Sequence, residues 1–357
     1  GVIIHEVGHN FFPMIINSDE RQWTWMDEGL NTFVQYLTEQ EWERDYPSRR
    51  GPAYMIADYM RGDLSGISPI MTNSESIKQF GNNAYGKPAT ALNILRETVM
   101  GRELFDYAFK TYCERWALKH PTPADFFRTM EDASAVDLDW FWRGWFYSTD
   151  HVDIAVTDVK WFELNTQNPE LEKAFLQQKD AQKDVFIGDT RNKTAITQTV
   201  NERDAQIDDF YAKRNIYAVD AIDRKDYQTF VSKTSAEDLA YLNAGKQLYE
   251  LTFENLGGLV MPLIIEATFA DGSTKVERIP AEIWRVEEFK VSKVFVYDQP
   301  VVSFRLDPFL ETADTDLDNN TWPRVMLPTR YQLYKQEPKR ENPMQRQQRL
   351  AQMQGGN

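Results

Sequence analysis

The chain has 357 residues, enough for two or three domains of ordinary size. Hydrophobic residues make up 42% and aromatic residues 13%, which excludes a wholly disordered chain. Acidic residues outnumber basic ones by 55 to 40, and the net charge of -15 argues against a nucleic-acid partner, since a phosphate backbone demands a basic surface. No apolar run is long enough to span a bilayer. The single cysteine, Cys113, excludes an intramolecular disulfide and a cysteine-based metal cluster.

The first residues, Gly1-Val2-Ile3-Ile4-His5-Glu6-Val7-Gly8-His9, already contain a reactive pattern. We therefore expect the C-terminal part of a longer polypeptide, with any targeting segment outside it. His5 and His9 stand at i and i+4, one turn apart on the same helix face, so both imidazoles can reach one metal ion. Glu6 then points beside the metal, where a carboxylate can take a proton from a bound water. Val2, Ile3, Ile4, Val7, Phe11 and Phe12 predict a buried helix, with Gly8 allowing close approach of a neighbour and Pro13 ending the element.

A second helical stretch opens at Trp25-Met26-Asp27-Glu28-Gly29 and runs through Val34, Tyr36 and Leu37 toward Trp42. Eighteen residues separate His9 from Glu28, room for a helix end, a loop and a returning helix that brings Glu28 to a third ligand position. Two neutral imidazoles and one carboxylate leave a fourth position open for water, the arrangement of catalytic rather than structural zinc.

The His5-Glu6-x-x-His9 motif, followed at this spacing by Glu28-Gly29, resembles the gluzincin zinc metallopeptidases of the aminopeptidase N family. The resemblance implies His5, His9 and Glu28 as ligands of one catalytic Zn2+, Glu6 as general base, and a mainly helical, thermolysin-like catalytic half. It also implies a tyrosine in a Tyr-x-Lys-Gly-like setting, and Tyr85-Gly86-Lys87-Pro88 matches except that Pro88 stands where the family often has glycine. Gly86 and Pro88 predict a turn into a helix, and a phenol held there could donate to the oxyanion of a tetrahedral intermediate. The Gly-x-Met-Glu-Asn segment with which the family's exopeptidases hold the substrate's amine does not occur in the sequence. Aminopeptidase action on peptides with a free N-terminus is thus implied by the resemblance alone.

Further along, apolar spacing in 89–100 and Gly101 predict a helix and its end, Glu103 to Trp116 another, and Thr122-Pro123-Ala124-Asp125 a helix start. The aromatic run 136–147 reads as a helix packed into a core. His151 to Val159 alternates as a strand. Residues 165–233 are polar and read as an irregular insertion with short helices at most. Strands are expected at 247–253, 260–269, 274–279, 291–297 and 301–306, with Asp271-Gly272 as a hairpin turn. Asp314 to Asn320 lacks the glycine and glutamate of an EF-hand, so a solvated acidic turn is preferred over calcium.

These readings combine into an α+β multidomain chain. Residues 1–150 form the helical part of the catalytic domain, 151–245 a strand and polar insertion, 246–327 an antiparallel β-sandwich-like module, and 328–357 a disordered tail. The expected function is zinc-dependent peptide-bond hydrolysis. The alternatives are a truncated, inactive binding or scaffold fragment and a gluzincin hydrolase acting on a non-peptide substrate. Compartment and oligomeric state are left open, with a lean toward a bacterial periplasm or cell envelope.

Overall fold

The computed structural model describes residues 1–325 and 343–354. Gly1–Arg324 make one compact unit and Val325–Asn357 a second. Within the first unit, seven α-helices precede the first strand. The chain opens with α1 (Val2–Gly8), then a π-helical turn, Asn10–Ile15, whose backbone leaves helical geometry at Phe12 and Pro13. A second π-helical turn, Trp25–Gly29, leads directly into α2 (Leu30–Trp42). After α3 (Ala57–Met60), the chain is helical from Gly81 through α4 (Lys87–Ile94) to Val99.

The expected turn at Gly86 and Pro88 is therefore not a turn. Gly86 has helical dihedrals, and Pro88 is the second residue of α4, which continues the helical path from Gly81. Pro88 packs so closely on Gly29 that a Cβ at position 29 would lie 2.6 Å from the proline ring. The ring thus fills the space beside the Glu28-Gly29 backbone, which explains how proline serves at this position.

Gly101, at φ +81°, breaks the helix before α5 (Arg102–Trp116). A reciprocal Thr122–Asp125 capping box starts α6 (Pro123–Ser134). The aromatic helix α7 (Asp139–Tyr147) buries Phe141, Trp142, Trp145 and Phe146. Their rings meet Phe126, Phe127 and, through Phe146 at 4.8 Å, Trp25 at the head of the Glu28 turn. Core packing thus reaches the segment that carries Glu28.

The flank of α1 departs from expectation. Val2 and Ile3 are 74% and 80% exposed, Val7 and Phe11 are also exposed, and Ile4 is half-buried; of the apolar residues expected in the core only Phe12 is buried there. The physical reason is that α1 packs chiefly against α2, which covers only one side of it.

Strand β1 (Ile154–Glu163) follows α7. The polar stretch after it is helical where an irregular insertion was expected: α8 (Pro169–Ala181), α9 (Ile187–Ala195), α10 (Val200–Arg203), α11 (Phe210–Lys213), α12 (Ala221–Lys233) and α13 (Ala236–Leu242). Side-chain caps start most of these helices, from Asn168, Thr199, Asp209, Asp220 and Ser235. The cue is capping rather than apolar periodicity, and most of the stretch is exposed.

The remaining strands are β2 (Gln247–Asn255), β3 (Leu263–Phe269), β4 (Thr274–Ile279), β5 (Lys290–Tyr297), β6 (Val301–Leu306) and β7 (Thr321–Trp322). They form two antiparallel sheets, β1-β2-β5 and β4-β3-β6-β7. Gly272, at φ +81°, makes the expected hairpin between β3 and β4. Rings of the two sheets touch, Tyr249 with Phe304 at 5.3 Å and Phe269 with Tyr297 at 5.5 Å.

The segment 314–320 is not the solvated acidic turn expected. Asp314, Thr315, Asn319 and Asn320 are buried, and Asp314 accepts from the N–H groups of Ile154 and Asp316 and from the Asn320 amide. Its carboxylate is spent on the chain's own donors. Of the tail expected to be disordered, residues 326–342 and 355–357 lie outside the described residues, whereas α14 (Pro343–Gln354) is a helix. No described helix is long and apolar enough to cross a membrane.

Candidate metal centre

Three side chains singled out by spacing converge. One ligand atom each from His5, His9 and Glu28 lies within 4.8 Å of the other two. Glu28 Oε2 is 3.1 Å from His5 Nε2 and 3.5 Å from His9 Nε2. The approach of α1 to α2 makes this possible. A Cβ on Gly8 would fall 2.0 Å from Asn31 Oδ1, so only glycine lets the helices come this near, as the sequence leads one to expect. Asn31, buried, donates through Nδ2 to the His5 carbonyl at 2.8 Å and ties the helices together.

The other ring nitrogens are already engaged. His5 Nδ1 donates to Gln35 Oε1 at 2.9 Å. The amide orientation of Gln35 is set by its Nε2, which donates to Glu39 Oε1 at 2.8 Å, while Ser48 Oγ donates to Glu39 Oε2 at 2.6 Å. Glu39 is only 3% exposed. His9 Nδ1 donates to the Phe12 carbonyl at 2.8 Å and lies 3.0 Å from Asp27 Oδ1. Each imidazole is thereby held with its proton on Nδ1 and its Nε2 lone pair toward Glu28. Two imidazole lone pairs and a carboxylate facing one point are the donor set of a zinc site, supported by the outer hydrogen bonds such ligands require. The residues present fit the metal.

Burial, then the neighbouring Glu28 charge, raise the Asp27 carboxyl to about 7, opposed by His9. Tyr85 lies on the helical turn Gly81–Gly86, its ring stacked on His5 at a centroid distance of 5.6 Å. Its hydroxyl donates to Glu28 Oε1 at 2.5 Å. Burial and this bond push its pKa up, so the phenol keeps its proton. Glu6 is exposed and lines a cleft of about 660 Å³ together with His5, Gln35, Glu39, Arg50 and Tyr85.

The sequence reading misses Asn31, Gln35 and Glu39. A signal for them exists: with Glu28 they form a polar row at i, i+3, i+7 and i+11, one stripe of a helix that otherwise reads as core. Arg50, 4.7 Å from its guanidinium carbon to the centre of the Tyr85 ring, lies in a loop and leaves no such pattern.

The model of the peptidase family M1 domain matches residues 1–145. The chain is 24% identical to glutamyl aminopeptidase of Homo sapiens over 167 residues, covering 44% of this chain and 17% of that protein. It is 23% identical to probable aminopeptidase 1 of Sulfurisphaera tokodaii over 175 residues, covering 45% and 22%. Among solved structures, aminopeptidase A of Legionella pneumophila in complex with aspartic acid aligns with a TM-score of 0.48 and 13% identity, covering 88% of this chain and 26% of that one. The chain spans 17% of the first of these curated relatives and 22% of the second. The match of residues 1–145 to the peptidase family M1 domain is in keeping with the resemblance to the aminopeptidase N gluzincins that the motif carries.

Proposed function

We propose that this chain carries the zinc centre of a peptidase that cleaves peptide bonds, with peptides bearing a free N-terminus as substrates. The observation that carries this reading is the convergence of His5, His9 and Glu28 on one point, beside a cleft that His5, Glu6 and Tyr85 line. The substrate class rests on the aminopeptidase names of the relatives. The two sheets, touching through Tyr249 and Phe304, are taken as a sandwich-like module that supports the helical half.

His5, His9 and Glu28 would hold the zinc, which when bound supplies Lewis acidity to the scissile carbonyl and to water. Glu6 takes the proton of the attacking water and passes it to the leaving amine. Its exposure on the cleft wall leaves it free to do both. Tyr85, protonated and bonded to Glu28 Oε1, orients that ligand until a substrate arrives, and then turns its donor toward the oxyanion. Asp27 and the Phe12 carbonyl fix His9; the Gln35–Glu39 pair fixes His5.

The exposed apolar side of α1 favours a second reading, in which this chain binds zinc and peptide but turns nothing over by itself. One pair of variants separates the readings. Glu6→Gln should retain zinc while peptide hydrolysis falls by about 100- to 10,000-fold, the usual contribution of a general base. His9→Ala should lose both. Undiminished turnover in Glu6→Gln sinks the mechanism, and a wild type that holds zinc without turnover moves the chain to the second reading.

A further inference from the structure

One wall of the cleft carries a guanidinium that the protein leaves uncommitted. Arg50 follows α2 in the loop that returns toward α3, and both sides of it are tied down. Ser48 donates to Glu39, and the Gly51 carbonyl accepts from Asn93 Nδ2 at 3.0 Å. Gly51, at φ +123°, lies so close to the Tyr36 ring that a Cβ there would be 2.5 Å from it. The backbone therefore fixes where Arg50 starts.

Among residues 1–325, Arg50 is the one arginine withdrawn from full exposure that has no carboxylate within 4.0 Å. It makes no hydrogen bond to another described residue either, although burial already lowers its pKa. The planar side chain lies over the Tyr85 face, a cation–π contact that leaves the edges of its donor fork open. A half-buried guanidinium whose donor fork meets no carboxylate of the protein is well placed to receive an anion that enters the cleft. A carboxylate matches that fork in shape and charge.

We propose that Arg50 is a specificity-determining residue that recognises a substrate carboxylate, so that the cleft favours peptides presenting an acidic side chain or a free C-terminus beside Tyr85. The inference rests on the cleft being the peptide site of the proposed function. A contact serving only to hold Tyr85 in place would instead weaken every peptide alike when Arg50 is replaced.

The test uses the full chain and two peptide pairs, with affinities read by titration calorimetry. Ala-Ala-Ala against Ala-Ala-Ala-amide isolates a C-terminal carboxylate, and Glu-Ala-Ala-amide against Gln-Ala-Ala-amide isolates a side-chain one. The wild type should prefer the carboxylate member of one pair by about tenfold or more, as a charge-assisted bidentate contact provides. Arg50→Gln should abolish that preference while leaving the affinity for Ala-Ala-Ala-amide unchanged, and Arg50→Lys should keep part of it. Arg49→Gln, at the exposed neighbour, should keep nearly all of it. No preference in either pair, a wild type that binds none of the four peptides, or a preference that survives in Arg50→Gln overturns the proposal. The titrations are run on zinc-loaded and metal-free samples whose metal content is measured. Absence of zinc then removes the proposed function, while the peptide preference still decides the role of Arg50.

Discussion

Two short apolar helices, α1 and α7, meet opposite fates. In α7 every large apolar residue from Phe141 to Phe146 is buried, and its rings reach Trp25 and so brace the turn that bears Glu28. In α1 only His5 is buried; Val2, Ile3 and Val7 face outward. The difference teaches that the centre is held in two ways. Glu28 is positioned from behind by hydrophobic packing, whereas His5 and His9 are positioned by hydrogen bonds and by the near contact of Gly8 with Asn31.

The contrast can be broken at the α7 end with the largest effect. Trp145→Ala removes a wholly buried side chain and should destabilise the first unit by about 3–5 kcal/mol, read by denaturant unfolding. A loss under about 1 kcal/mol would mean that α7 is not the brace described. Next comes Gln35→Ala, which leaves the core intact but frees His5 Nδ1. Zinc affinity, measured by competition with a chelator, should fall about 10- to 100-fold, the usual cost of an outer-shell partner, with little change in unfolding. Equal zinc affinity would show that the Gln35–Glu39 pair does not set the His5 tautomer.

A smaller effect belongs to the start of β1, pinned by Asp314. Burial raises this carboxyl to about 7, well above its unfolded value near 3.9. The folded state then binds more protons than the unfolded one between about pH 4 and pH 7, so stability falls as pH rises through that window. Asp314→Asn should flatten the slope. Asp27, raised to about 7 as well, leaves a remainder of the same sign. A slope unchanged by the substitution would contradict the assignment. The smallest effect is expected at the outer side of α1, where Ile3→Ser should alter stability by about 0.5 kcal/mol or less. A larger loss would show that this side is covered.

The same contrast explains what was legible in the sequence. His5, His9 and Glu28 were readable because i, i+4 spacing and a loop of fixed length leave few geometries open. The aromatic spacing of α7 was readable as core for the same reason. The α1 flank misled because periodicity reports an apolar face and not whether a partner covers it. Within 165–233, where short helices at most are expected, the longer α8 and α12 give their signal in single caps rather than in apolar repeats. Pro88 reads as a departure until its ring is seen against Gly29. Arg50 depends on tertiary contacts from Gly51, Asn93 and Tyr36, which no local pattern announces.

Metal stoichiometry tests the central claim most directly. Elemental analysis of the purified wild-type chain should give about one zinc per chain, and His9→Ala should give none under the same conditions. A wild-type chain without zinc, or a His9→Ala chain that keeps it, would contradict the assignment of His5, His9 and Glu28 as a single metal centre.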